Sequence, residues 1–159
     1  MKVLKYPALI GAIVMVAVTV LSAVPPPRSP EETQAMLDYK LTMPLCNQLF
    51  TAMGPMTRYV ASLPDLKERM ARAATQTLAE RTAQVEKDPK AMAILKQNNL
   101  TARDYIVGVP TMRQAIWLAS GRGGPGLVAS PANLAFAKAN LADLKPRMDA
   151  ADGMPVQKK

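Results

Sequence analysis

An all-α fold is the class this sequence predicts: a small bundle of about four to six helices behind an N-terminal hydrophobic export segment. Three observations carry the prediction. Apolar residues recur at steps of three and four along most of the chain. Val and Ile do not gather into the alternating runs that strands require. Ser, Thr and Asp residues, several followed by proline, stand at helix-start spacing ahead of these apolar stripes.

Residues 1–24 read as the export segment. Lys2 and Lys5 give it a positive start, and residues 8–24 form an uncharged run of seventeen. Val20-Leu21-Ser22 before Ala23 is an acceptable small-residue cleavage site, so the segment is read as a signal peptide. The alternative is a retained membrane anchor over residues 8–24, a run at the short edge of a spanning helix. Either way the positive end stays inside, and the rest of the chain is expected in the periplasm or outside the cell. No cysteine stands at the junction for lipid attachment.

Residues 25–30 form a proline-rich spacer, and residues 31–148 are expected to be the helical domain. Ser29-Pro30-Glu31-Glu32 opens its first helix, which should end near Lys40. Leu45, Leu49, Met53, Met56, Val60 and Leu63 then share one stripe, with a kink or break expected at Gly54-Pro55. The next helix is expected from Asp65, with Leu66, Met70, Ala73, Thr77 or Leu78, and Val85 turned inward. Lys67, Glu68, Arg72, Glu80 and Arg81 form its solvated face. Asp88-Pro89 caps a short helix that buries Met92 and Leu95 and stops at Asn98-Asn99.

The central helix follows. Thr101 caps it, with Asp104 three residues on. Tyr105, Val109, Met112, Ile116 and Ala119 make its stripe, Trp117 lies near the edge, and Pro110 should bend it. The glycine-rich Gly121-Arg122-Gly123-Gly124-Pro125-Gly126 is expected to be a mobile hairpin. It lacks the spacing and the following Lys-Ser/Thr of a phosphate cradle. Ser130-Pro131 starts the last helix, with Leu134, Ala137, Leu141 and Leu144 inward and Pro146 ending it. Residues 149–159 are read as a flexible basic tail.

The segments LTARDYIVGVPTMRQAIWLAS and SPANLAFAKANLADLKPRM together resemble a group of small exported bacterial proteins of unknown function. In that group a Leu-Thr-x-x-(Asp/Glu)-Tyr helix entry precedes a Ser-Pro-x-Asn-x-x-Phe helix. The matching residues are Leu100, Thr101, Asp104 and Tyr105, then Ser130, Pro131, Asn133 and Phe136, with a fainter echo at Tyr39-Lys40-Leu41-Thr42. The resemblance implies export and an all-helical fold. It implies no activity.

Composition narrows the chemistry. The 159 residues include no histidine, which excludes Ser-His-Asp triads, Cys-His dyads and histidine-ligated metals. Cys46 is the only cysteine, so no internal disulfide can form. The formal charge of +8 falls to about +6 without Lys2 and Lys5. That favours acidic partners or an anionic membrane surface. Nucleic acid is not expected, since the basic residues are scattered and no aromatic-basic motif accompanies them.

Two candidate sites remain. Met43, Cys46, Met53 and Met56 offer soft sulfur ligands suited to Cu(I), although methionine also fills helical cores. Asp104 with Tyr105 and Arg113 is the best acid–base cluster, but Asp104 already has a capping task. The expectation is therefore a non-catalytic protein with no cofactor and no metal. Its role is binding an apolar ligand or protein partner, or assembly, in the cell envelope. A membrane-tethered accessory subunit is the alternative.

Overall fold

The computed structural model describes residues 29–153. The export segment at residues 1–24, most of the proline-rich spacer and residues 154–159 of the basic tail lie outside the described residues. Every regular element described is helical: α1 (Pro30–Asp38), α2 (Met43–Ala61), α3 (Leu66–Ala73), α4 (Leu78–Glu86), α5 (Pro89–Gln97), α6 (Ala102–Ala119), α7 (Pro131–Ala139) and α8 (Leu141–Ala151). Among the described residues, no helix is long and apolar enough to cross a membrane.

The all-α class is as predicted, but the described residues form eight helices rather than four to six. Two of the expected helices are each divided. Residues 74–77 separate α3 from α4, because the Thr77 hydroxyl accepts the Glu80 N–H and the Glu80 carboxylate returns to the Thr77 N–H. That reciprocal cap starts a new helix more favourably than residue 77 could continue the old one. Asn140 divides α7 from α8. Its side chain donates to the Phe136 carbonyl at 2.8 Å and so competes with the helical ladder.

The predicted caps are otherwise in place. Ser29, Asp88, Thr101 and Ser130 each accept a backbone N–H at the start of their helix, and Thr42, not anticipated as a cap, does the same for α2. Asn99 closes α5 with φ of 54°, the left-handed conformation asparagine tolerates. The prolines are more permissive than expected. Pro55 does not break α2, and Pro146 lies inside α8, which continues to Ala151. Each removes a single ladder bond, which packing on either side outweighs. In α8 that packing is Leu144 and Met148, both fully buried.

Helix α6 runs through the middle and packs against α1, α2, α4, α5, α7 and α8. One side of it, with Met112, Ala115 and Ile116, joins a core filled by Leu49, Met53, Leu95, Ala137, Leu144 and Met148. On the other side Val107 meets Met36 of α1 and Leu78 of α4 in a smaller cluster. The predicted stripe of α6 therefore understates its burial. Thr111 and Gln114 are buried as well, while Tyr105, Val109 and Ala119 are only partly covered. The α2 stripe is also rotated from expectation: Cys46, Leu49, Ala52, Met53 and Met56 are buried, whereas Leu45 is half-buried and Val60 exposed.

The connection between α1 and α2 is fixed from three directions. Asn133 of α7 accepts the Leu41 N–H at 3.0 Å and donates to the Tyr39 carbonyl at 2.6 Å. The Tyr39 hydroxyl donates to Asp104 at 2.9 Å. A Cβ at Gly108 would stand 3.1 Å from Leu49 and Tyr39 side-chain atoms, so glycine is what allows this connection to close on α6.

The glycine-rich segment, expected as a mobile hairpin, is held at both ends. Arg122 pairs with Asp149 of α8 at 3.0 Å, and the Val128 N–H donates to Gln114 at 2.7 Å. Only residues 121–126 between and around these anchors are exposed.

Asn133→Ala would strip partners from two backbone groups at once and should lower stability by about 2–4 kcal/mol. Urea unfolding followed by circular dichroism measures it. A loss below about 0.5 kcal/mol would show that the Asn133 contacts hold nothing together.

Candidate functional site

An apolar hollow lies where α2, α4, α5 and α6 diverge beneath α3. Met56 and Tyr59 of α2, Val85 of α4, Ala91 of α5, and Tyr105, Ile106, Val109 and Pro110 of α6 line a groove of about 360 Å³. Ligand pockets run from about 300 to 1,000 Å³, so this one is small. Leu66 and Met70 of α3 form its roof.

Helix α3 is an unusual cover. None of its residues is buried, and Met70, expected to point into the core, is 50% exposed. Its capping residue Asp65 makes no side-chain cap and instead accepts from Arg69 Nε at 2.8 Å. What ties α3 to the body is mainly charge: Arg69 Nη1 lies 3.9 Å from Asp88 Oδ2 at the start of α5. A partly exposed contact of that length is weak.

Asp88 is itself heavily engaged. Oδ1 accepts the N–H groups of Lys90 and Ala91 at 3.1 Å, and Oδ2 accepts the Tyr59 hydroxyl at 2.7 Å. Partial burial alone would raise its carboxyl, but these hydrogen bonds and Arg69 outweigh that and hold it below the ordinary aspartate value. The same Tyr59 bond raises the phenol. Tyr105, on the opposite wall, has its phenol pushed up to about 12 by burial. Neither tyrosine supplies a phenolate near neutral pH.

Arg81 occupies the fourth wall. Although expected on a solvated face, it lines the groove, and its Nη2 lies 2.7 Å from Glu32 Oε2. Both Nε and Nη2 are enclosed, and among the described residues neither has a hydrogen-bond acceptor in good geometry. A signal for its placement existed in the spacing. Arg81 lies three residues after Leu78 and four before Val85, on the very stripe read as inward.

The two candidates named from sequence lie elsewhere. Asp104 accepts the Thr101 N–H and hydroxyl and the Tyr39 hydroxyl, at 3.0, 2.7 and 2.9 Å. Arg113 pairs with Asp152 at 2.9 Å. Asp104 and Arg113 are thus spent in separate structural contacts, and only Tyr105 of the three reaches the groove. Burial raises the Asp152 carboxyl despite the Arg113 guanidinium.

Of the sulfur set, Cys46, Met53 and Met56 are buried in the main core, and Met43 packs against it from the side. Burial pushes the Cys46 thiol up to about 11, with Arg147 only partly offsetting it. A protonated thiol in such surroundings is a poor ligand and a poor nucleophile. Among the described residues, no group of three or more Cys, Asp or Glu side chains is placed to hold a metal ion.

Two outcomes follow from these placements. In the folded chain at about pH 8, a thiol reagent should label Cys46 at least about a hundredfold more slowly than in urea. Labelling at the rate of a free thiol would place Cys46 outside the core. The second concerns Asp104, where burial would raise the carboxyl but the Thr101 and Tyr39 hydrogen bonds leave it lowered. A lowered folded-state pKa gives stability that is complete above the unfolded value and is lost as pH falls through the folded one. Stability should therefore drop on acidification below the ordinary carboxylate range, and Asp104→Asn should flatten part of that acid limb. Unchanged acid limbs in urea titrations would remove Asp104 from the account.

Comparison with protein-family models, with curated proteins and with solved structures finds no match to this chain.

Proposed function

We propose that this chain is a non-catalytic binding module of the bacterial cell envelope that takes an apolar ligand into the groove beneath α3. The observation that carries the reading is the pairing of an apolar groove with a roof that buries none of its own side chains. Four helices shape the walls, and the cover can part from them without exposing a packed core. The chemistry present supports binding over catalysis. Asp88 is ionised with both oxygens already accepting hydrogen bonds, both tyrosines stay protonated, and among the described residues no activated nucleophile stands beside a base. The export segment read from residues 1–24 supports a place outside the cytoplasm.

A neutral fluorescent probe such as phenylnaphthylamine should bind the purified protein with micromolar affinity and gain emission. Val85→Trp, which fills the groove from α4, should weaken that binding at least about tenfold while leaving the helical circular dichroism unchanged. Equal probe affinity in the filled variant would rule the groove out as the site.

A further inference from the structure

We infer that the groove takes an uncharged single-chain amphiphile, its hydrocarbon chain under α3 and a hydroxylated head in the polar recess alongside. This rests on the groove reading above. The recess, of about 490 Å³, is lined by Asp65, Arg69, Arg72, Gln84, Lys87 and Asp88. Arg69, Gln84 and Asp88 also line the apolar groove, so the two hollows share a wall. An apolar compartment beside a polar one matches a molecule with a tail and a head. The groove's volume of about 360 Å³ suits one short chain and not two.

Charge argues against an ionic head. Arg69 Nε lies 2.8 Å from Asp65 Oδ1, Arg72 Nη2 lies 3.7 Å from Asp65 Oδ2, and Arg69 Nη1 lies 3.9 Å from Asp88 Oδ2. Arg81 faces Glu32 at 2.7 Å, and its Nε and Nη2 are enclosed beyond the reach of an occupant. Arg69, Arg72 and Arg81 are thus matched by Asp65, Asp88 and Glu32. Lys87 is left over, but it is exposed, where water and salt screen it. An ion of either sign would shed its hydration here without gaining an unmatched enclosed partner. Hydroxyl groups avoid that penalty and suit a wall carrying both donors and acceptors. Gln84 is the uncommitted member of the shared wall. It is half-buried, lines both hollows and has no hydrogen-bond partner among the described residues. Its amide can donate to one hydroxyl and accept from another where head meets tail.

Titration calorimetry of the full chain with monodecanoylglycerol, decanol, decanoate and decyltrimethylammonium, each below its micellar concentration, tests the assignment. Monodecanoylglycerol should bind at least about tenfold more tightly than either ion and about fivefold more tightly than decanol. Gln84→Leu should remove the preference for monodecanoylglycerol over decanol and leave decanol bound at least as tightly. The four affinities of the unaltered chain decide the matter even if that variant fails to fold. Decanoate or decyltrimethylammonium binding as tightly as monodecanoylglycerol would overturn the uncharged head and leave the groove reading standing. Equal affinities for monodecanoylglycerol and decanol would overturn the recess as the head site, again sparing the groove. A preference that survives in a folded Gln84→Leu variant would overturn the contact assigned to Gln84. No binding of any of the four would overturn both readings.

Discussion

The grip of Asn133 on the backbone between α1 and α2 is the contact on which the rest of the architecture depends. Its amide satisfies a carbonyl and an N–H that are two residues apart and lie more than ninety positions earlier in the chain. Those groups belong to a connection that leaves helical geometry at Tyr39 and re-enters it at Met43. Irregular backbone can be buried only if its polar groups find partners. Asn133 supplies them, and Asp104 fixes the Tyr39 ring from the other side. The first helix, the central helix and the last helical pair are thereby registered against one another.

This clamp gives the recognisable segments a structural meaning. Thr101 and Asp104 of one, Ser130 and Asn133 of another, and Tyr39 and Leu41 of the fainter third are mutual partners or caps in the folded chain. Three stretches far apart in the chain form one three-way junction in the fold. They fix the fold. They leave the groove on the other side of α6 to be lined by residues outside those patterns, except Tyr105.

The groove exists because α3 is too polar to complete the core. Leu66 and Met70 give it an apolar edge, but Lys67, Glu68, Arg69 and Arg72 leave too little carbon to bury on packing. Burying a large apolar side chain stabilises by about 1.5–3 kcal/mol, and α3 forgoes this while the neighbouring helices do not. The result is a stable frame of α2, α4, α5 and α6 with a loosely held cover, joined across the mouth by Arg69, Asp88 and Tyr59. Elements of low local stability are where ligand access is easiest to build.

The sequence by itself determined the helical class, the caps at Ser29, Asp88, Thr101 and Ser130, and the centrality of the helix after Leu100. All of these are local, set by a side chain within three or four residues of the backbone it serves. Tertiary structure alone decided the rest. Pro55 and Pro146 stay inside helices because distant packing outweighs one lost bond, and Met70 is exposed because no neighbour covers it. Arg81 and Glu32 meet only when α1 and α4 converge. Asn133 looked like a helix-start residue because its partners are remote. Periodicity records which face of a helix is greasy, and says nothing about which other helix, or which empty space, that face will meet.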